Sequence, residues 1–164
     1  MGLTKGEKAP NFKLKATVDG EQTELELSEE LAKKDKEGIV LAFFPLAFSS
    51  GCTEELCQFR DSLGEFEDLD AKVLGISVDS PYALKAFAEE NELKFPLVSD
   101  FNKDIIESYG VVQEDLNGLK GVAKRSVFVL DSDGTVRYKW VSDDPSILPD
   151  QGEIKEVLKT VREK

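Results

Sequence analysis

The sequence predicts an α/β protein in which helices flank a mixed central sheet. Two apolar runs, at positions 39–44 and 73–78, have the length and continuity of strands that are buried on both faces. Segments with the apolar period of amphipathic helices separate these runs from each other and from the next short strand. Strands that alternate with helices pair in parallel through right-handed crossovers, whereas two hairpin patterns, one early and one late, add antiparallel strands.

The first half of the chain contains the elements that define this order. Alternating apolar and polar residues on either side of Asp19-Gly20 predict an N-terminal β-hairpin. A charged segment that contains a short helical turn separates the hairpin from the first buried strand. After that strand, apolar residues recur at steps of four, three, four and three, which predicts one amphipathic helix. The residues of this stripe are Cys52, Leu56, Phe59, Leu63 and Phe66.

The second half continues the alternation and then ends in a hairpin and a helix. Ser80-Pro81 predicts a helix start after the second buried strand, because serine caps helices and proline suits their first position. The remaining predictions are a strand at 96–98, a helix at 103–109, a loop at 116–122, a hairpin at 126–141 and a helix at 154–161. This order fits a thioredoxin-like fold with an N-terminal β-hairpin, and a flavodoxin-like fold is the alternative.

Length and composition restrict the class of protein. A chain of 164 residues with 40% apolar residues is long enough for one domain with a sizeable core, so we expect a single domain over 1–164. The net charge of −12 repels nucleic acid and anionic lipid, which makes both poor partners. The sequence shows no spanning segment and no apolar signal core, from which we expect a cytoplasmic protein.

The absence of histidine limits the possible chemistry. With no histidine in the sequence, Cys-His and Ser-His nucleophile pairs are excluded, and so are metal sites built on imidazole. We expect neither a metal nor an organic cofactor. The two cysteines, Cys52 and Cys57, are too close in sequence for a disulfide scaffold and indicate a reactive site instead.

Cys52 is predicted to lie at the junction between a buried strand and a helix. Free backbone N–H groups and the positive end of the helix dipole stabilise a thiolate at such a position. Glu54 and Glu55 oppose this effect, so a nearby lysine or arginine is required. Ser49 can donate its hydroxyl to the sulfur or to a bound oxygen, and Pro45 stiffens the turn that leads to the helix.

Cys57 is predicted to point away from Cys52. In an α-helix the two side chains are separated by about 140° around the axis. Their Cα atoms would lie roughly 8–9 Å apart, beyond the ~7 Å limit for a disulfide. If Cys57 reacts with oxidised Cys52, the first turns of the helix must unwind. The alternative is that Cys57 is a bystander and that an outside thiol resolves the oxidised enzyme.

The residues around Cys52 resemble the peroxiredoxins. Pro45, Ser49 and Cys52 fit the Pro-x-x-x-Thr/Ser-x-x-Cys signature of that family. Further similarity to its bacterioferritin-comigratory, or Q-type, branch lies in Gly51-Cys52-Thr53, Cys57, Phe59, Arg60 and Asp61. The segment 43–48 is also similar to one-cysteine bacterial alkyl hydroperoxide reductases. The resemblance extends to Arg125 before a late strand, and Ser49 departs from the threonine usual at its position.

This resemblance implies a thiol peroxidase that acts on hydrogen peroxide and small organic hydroperoxides. Cys52 would become a sulfenic acid, while Ser49, Gly51 and Arg125 would bind the peroxide. Pro45 would shield the intermediate, and Cys57 would resolve it. The family also implies a thioredoxin- or glutaredoxin-like reductant and a monomer or homodimer.

Two other functions are compatible with the same residues. A redox-sensing or chaperone-like interaction protein could use the thiol without efficient turnover. A dithiol-disulfide exchanger is less well supported, because the sequence contains no Cys-x-x-Cys motif.

Overall fold

Strand β3 (Gly38–Phe43) lies between strands that run in opposite senses, and all six of its residues are buried. The computed structural model describes residues 3–163. β3 pairs in parallel with β4 (Ala71–Ser77) and antiparallel with β8 (Ser126–Asp131). Because successive side chains of a strand point to opposite faces, a continuous apolar run needs a cover on both sides of the sheet.

The N-terminal hairpin consists of β1 (Lys13–Val18) and β2 (Glu21–Glu26), and β1 pairs antiparallel with β5 (Leu97–Ser99). At the other edge of the sheet, β9 (Val136–Val141) completes the late hairpin with β8. The central sheet therefore has seven strands in the order β2-β1-β5-β4-β3-β8-β9. The mixed sheet and its flanking helices confirm the thioredoxin-like prediction.

Six helices cover the sheet or connect its strands in the described part of the chain. Their bounds are α1 (Leu27–Ala32), α2 (Ser50–Asp61), α3 (Leu63–Asp68), α4 (Pro81–Asn91), α5 (Asp104–Ser108) and α6 (Gln151–Glu163). The cap of α4 agrees with the sequence, because Ser80 Oγ accepts a hydrogen bond from the backbone N–H of Ala83.

The single helix predicted through Phe66 is wrong. Ser62, with φ −98° and ψ 3°, interrupts it and separates α2 from α3. The apolar stripe continues across this break, since the ring centroids of Phe59 and Phe66 lie 5.6 Å apart. Apolar spacing reports which side of a segment is buried, and it does not require one continuous helix axis.

The loop predicted at 116–122 also needs a correction. Its last residue, Val122, begins strand β7 (Val122–Ala123), which pairs with β6 (Val112–Gln113). Two-residue strands are too short to produce an alternating pattern, so the sequence did not reveal them. Between these strands a tight turn with positive φ at Asn117 and Gly118 brings Leu116 and Leu119 together.

The core occupies both faces of the sheet. Val40, Ala42 and Phe44 pack on one face against α2, α4 and α6, whereas Leu41 and Phe43 pack on the other. Cys52 belongs to the first of these clusters. The carboxyl end of β3 therefore delivers the chain directly into a helix that is packed on the sheet. Among residues 3–163, no helix is long and apolar enough to cross a membrane.

Candidate active site

The loop between β3 and α2 is tied to the end of β4. The backbone N–H of Ala47 donates to Asp79 Oδ2 at 2.7 Å, and Ser77 Oγ donates to the same oxygen at 2.7 Å. Phe44 N–H also donates to the carbonyl of Ile76 at 3.0 Å. These bonds fix the approach to α2, so the position of the helix start depends on the neighbouring strand.

Cys52 is the third residue of α2. The first intrahelical bond of the helix runs from Thr53 N–H to Ser49 C=O at 2.9 Å, so the N–H groups that precede it have no partner within the helix. Their positive ends stabilise a thiolate at this position. Cys52 has 0% relative exposure, and the predicted strand-to-helix junction is where the structure places it.

Arg125 is the cation next to Cys52. Its Nη2 lies 3.4 Å from Cys52 Sγ, its Nη1 donates to Glu55 Oε1 at 2.7 Å, and its Nε donates to the carbonyl of Pro145 at 2.9 Å. The side chain is only 3% exposed. Three bonds in three directions hold the planar guanidinium in one orientation. The requirement for a lysine or arginine is therefore met by a residue that is distant in sequence.

Glu55 is a buried residue of α2 that binds the same guanidinium as Cys52. Burial raises the pKa of Glu55 to about 7, although the charge and hydrogen bond of Arg125 act to lower it. Burial alone would lower the pKa of Arg125, but the neighbouring Cys52 and Glu55 outweigh it and the pKa is raised. Arg125 therefore remains a cation, and the ionisation of Glu55 is finely balanced.

The other predicted site residues lie around this centre. Ser49 is exposed, and its Oγ donates to the carbonyl of Leu46 at 2.9 Å, so in this structure its hydroxyl is directed to the loop. Pro45 is buried. A Cβ at Gly51 would lie 3.1 Å from Arg125 Nη2. Glycine at this position therefore permits the close approach of the guanidinium to the helix.

A cleft of about 550 Å³ opens beside these residues. Arg125 contributes to its wall and also contacts the buried sulfur, so it connects the cleft with Cys52. The lining residues are Pro45, Leu46, Ser49, Ser50, Gly51, Glu54, Leu116, Asn117, Leu119, Arg125, Pro145 and Ser146. Such an arrangement can admit a small polar molecule next to a cation and a helix N-terminus.

Cys57 is half-buried on a different side of α2. Its sulfur lies 3.8 Å from Asn91 Oδ1, and both cysteines are free thiols. The structure therefore does not bring Cys57 into the cluster around Cys52 and Arg125. The predicted separation of the two side chains agrees with these different surroundings.

Three contacts of the site were not found by sequence reasoning. Asp79 could have been suspected from its place after a buried strand, since such strand ends often carry site residues. Pro145 contributes through a backbone carbonyl, which side-chain patterns do not reveal. Asn91 lies at the end of a separate helix and has no distinguishing spacing. In residues 3–163 no group of three or more potential ligand side chains could hold a metal ion.

Comparison with known proteins identifies the family. The AhpC/TSA family model matches residues 5–139. The chain belongs to this family, the peroxiredoxins. It is 38% identical to a chloroplastic 2-cysteine peroxiredoxin of Chattonella marina var. antiqua over 87% of this chain and 73% of that protein. It is also 36% identical to the putative peroxiredoxin MT2597 of Mycobacterium tuberculosis, with 82% of each chain covered.

Solved peroxiredoxin structures share the fold. The reduced 2-Cys peroxiredoxin of Plasmodium vivax superposes with a TM-score of 0.84 at 26% identity, over 96% of this chain and 81% of that one. The peroxidoxin BcpB of Mycobacterium tuberculosis gives a TM-score of 0.79 at 31% identity, over 98% and 97% of the two chains. Peroxiredoxins are thiol-dependent peroxidases, so this chain is an enzyme of this class.

Proposed function

We propose that Cys52 is the peroxide-reacting thiolate of a peroxidase that reduces hydrogen peroxide and small organic hydroperoxides. The observation that carries this proposal is the contact between Arg125 Nη2 and Cys52 Sγ at the start of α2. A cation and free helix N–H groups both favour the thiolate, which is the nucleophilic form of cysteine. Redox sensing without turnover, the alternative from the sequence, has no specific observation in its favour.

The chemical step transfers one oxygen atom. Cys52 Sγ attacks one oxygen of the peroxide, the O–O bond breaks, and the sulfur becomes a sulfenic acid while water or an alcohol leaves. Arg125 donates to the oxygens on which negative charge develops, which lowers the barrier. Because Cys52 is fully buried, the peroxide reaches it through a small displacement of the cleft wall. Gly51 and Ser49 border this route, and Pro45 limits access of water.

Cys57 is our candidate for the resolving cysteine. Its thiol would attack Cys52 Sγ, the S–O bond would break, and a disulfide and water would form. Both cysteines lie within α2, so this step requires the helix to unwind locally. The spacing of these cysteines supports assignment to the bacterioferritin-comigratory, or Q-type, branch.

The remaining steps concern partners. A disulfide in α2 would be reduced by a thioredoxin- or glutaredoxin-like dithiol, which returns both cysteines to thiols. We expect a monomer or homodimer in the cytoplasm, a location that suits two free thiols. Some relatives are chloroplastic, so location is tested separately by fractionating cells of the source organism.

Mass spectrometry after peroxide treatment tests this proposal. We expect the unaltered protein to form one Cys52–Cys57 disulfide, whereas Cys57→Ser should accumulate sulfenic and then sulfinic acid at Cys52. Gln58→Ser, one residue further along the helix, serves as the matched control and should behave like the unaltered protein. Stopped-flow oxidation of Cys52 no faster than that of a free thiol would contradict the peroxidase. An unchanged cycle in Cys57→Ser would contradict only its resolving role.

A further inference from the structure

Asn91, the last residue of α4, holds the half of α2 that carries Cys57. Its Oδ1 lies 3.8 Å from Cys57 Sγ, and its Nδ2 donates to the carbonyl of Phe87 at 3.0 Å. The second bond determines the orientation of the amide, because an amide oxygen in that position would face another oxygen. The group directed at the thiol is therefore an acceptor.

An acceptor at this position holds the side chain of Cys57. The amide oxygen of Asn91 can receive the S–H of Cys57, which directs the sulfur towards α4. A disulfide requires the two sulfur atoms to come into bonding distance, so this contact must break before Cys57 reaches Cys52. The contact therefore opposes the resolving step.

The same residue also restrains movement of the helix. Arg60 Nη1 donates to the backbone carbonyl of Asn91 at 2.8 Å, one turn beyond Cys57. Closure of a Cys52–Cys57 disulfide requires this part of α2 to leave α4. The Arg60 bond involves only the main chain of Asn91, so substitution of its side chain leaves that bond possible and removes the contact with the thiol.

We propose that Asn91 is a positioning residue that holds Cys57 in place against α4, and thereby slows its attack on oxidised Cys52. This inference rests on the resolving role proposed above for Cys57. The consequence is a longer lifetime of the Cys52 sulfenic acid. A longer lifetime increases the chance that a second peroxide oxidises it to sulfinic acid before the disulfide closes.

The test separates the two chemical steps in the full-length protein. Reduced protein is mixed rapidly with hydrogen peroxide and quenched with acid, and mass spectrometry follows sulfenic acid and disulfide with time. In Asn91→Ala, loss of one hydrogen bond should accelerate disulfide formation about fivefold. The rate of Cys52 oxidation should be unchanged. Formation of sulfinic acid at Cys52 should need a higher peroxide concentration than in the unaltered protein.

Two further variants distinguish positioning from a general structural effect. Asn91→Asp also loses the Nδ2 bond to Phe87, but it retains an acceptor and adds negative charge beside the sulfur, so disulfide formation should be no faster than in the unaltered protein. Asn91→Leu keeps a similar side-chain shape without polar atoms, and its disulfide should form as fast as in Asn91→Ala. This variant provides the same test if Asn91→Ala folds poorly. Glu90→Ala, at the exposed neighbouring position, is the control.

Each result has a distinct meaning. Acceleration in Asn91→Ala and Asn91→Leu but not in Asn91→Asp supports the proposal. An equal change in all three variants, or slower closure in Asn91→Ala, overturns it while leaving the peroxidase intact. If the unaltered protein forms no Cys52–Cys57 disulfide, the resolving role of Cys57 fails and this inference fails with it.

Discussion

At the scale of single residues, Arg125 connects the sulfur of Cys52 to the rest of the molecule. Its three donors contact a side-chain sulfur, a carboxylate and a backbone carbonyl, which lie on α2 and on the loop before α6. The planar fork of arginine suits three separate acceptors, whereas the ammonium of lysine is a single point charge. We therefore expect position 125 to require the shape of arginine as well as its charge.

Arg125→Lys tests this requirement. We expect the second-order rate of Cys52 oxidation to fall by about 10²–10³-fold, the usual effect of losing one donor to a developing negative charge. Stopped-flow measurement with hydrogen peroxide determines this rate. Arg137→Lys is the matched control, because Arg137 pairs with Asp131 on the late hairpin, and its rate should stay unchanged. A normal rate in Arg125→Lys would show that charge alone is sufficient.

The raised pKa of Glu55 predicts that the stability of the protein depends on pH. Its pKa is raised from an ordinary 4.5 to about 7 by burial, so between these values the folded protein binds more protons than the unfolded chain. The free energy of unfolding should then decrease as pH rises through this interval, by at most about 3 kcal/mol.

Urea unfolding of the unaltered protein and of Glu55→Gln, from about pH 5 to about pH 8, measures this effect. Glutamine does not titrate, so its curve supplies the contribution of all other groups. The free energy of unfolding of Glu55→Gln, relative to that of the unaltered protein, should increase as pH rises. A difference that stays constant over this pH range would contradict the prediction, because it would mean that Arg125 keeps the pKa of Glu55 at or below its ordinary value.

At the scale of elements, the position of α2 depends on the absence of a side chain beneath it. Gly75, in β4, would carry a Cβ at 2.7 Å from Leu97 Cδ2 and 3.2 Å from Leu56 Cδ1. Leu56 lies on the buried face of α2. The helix that carries Cys52 can therefore lie close to the sheet because position 75 is glycine.

Gly75→Ala should displace α2 and destabilise the protein by about 1–3 kcal/mol, the usual cost of overpacking. Chemical denaturation gives the free energy, and stopped-flow oxidation shows whether the Cys52 site also loses rate. Gly64→Ala is the control, because nothing lies within 4 Å of the added Cβ in α3. Alanine at this helical position should leave stability unchanged or raise it by up to about 1 kcal/mol.

At the scale of the whole molecule, a rigid sheet supports a helix that must open during the proposed cycle. β3 and β4 are covered by apolar clusters on both faces, whereas α2 packs on one face of the sheet and contacts α4 through Cys57 and Arg60. Local unfolding of a helix costs less than global unfolding when the sheet beneath it remains intact. We therefore expect oxidation to affect α2 and to leave the sheet unchanged.

Hydrogen exchange compares the reduced and disulfide forms. Amides of Ser50–Asp61 should lose protection after oxidation, while those of Gly38–Phe43 and Ala71–Ser77 should keep it. Cys57→Ser treated with the same peroxide is the control, since it cannot form the disulfide. Loss of protection throughout the sheet would contradict a local opening, and retained protection in α2 would contradict an intramolecular bridge.

Local patterns were sufficient for the elements that the sequence predicted correctly. Continuous apolar runs identified β3 and β4, and Ser80-Pro81 identified the start of α4, because these signals arise from neighbouring residues. The break at Ser62 was missed because both sides of it bury the same face. The two-residue strands β6 and β7 were missed because they are too short to show a period.

Residue types and their order were enough to predict the class of chemistry: a thiol at a strand-to-helix junction, in a chain without histidine, needs a lysine or arginine beside it. The acceptors that surround that cation and thiol became visible in the folded molecule. Pro145 acts through its backbone carbonyl, and Asn91 approaches Cys57 from another helix. Such contacts depend on how distant elements pack, and no spacing within one segment of chain encodes them.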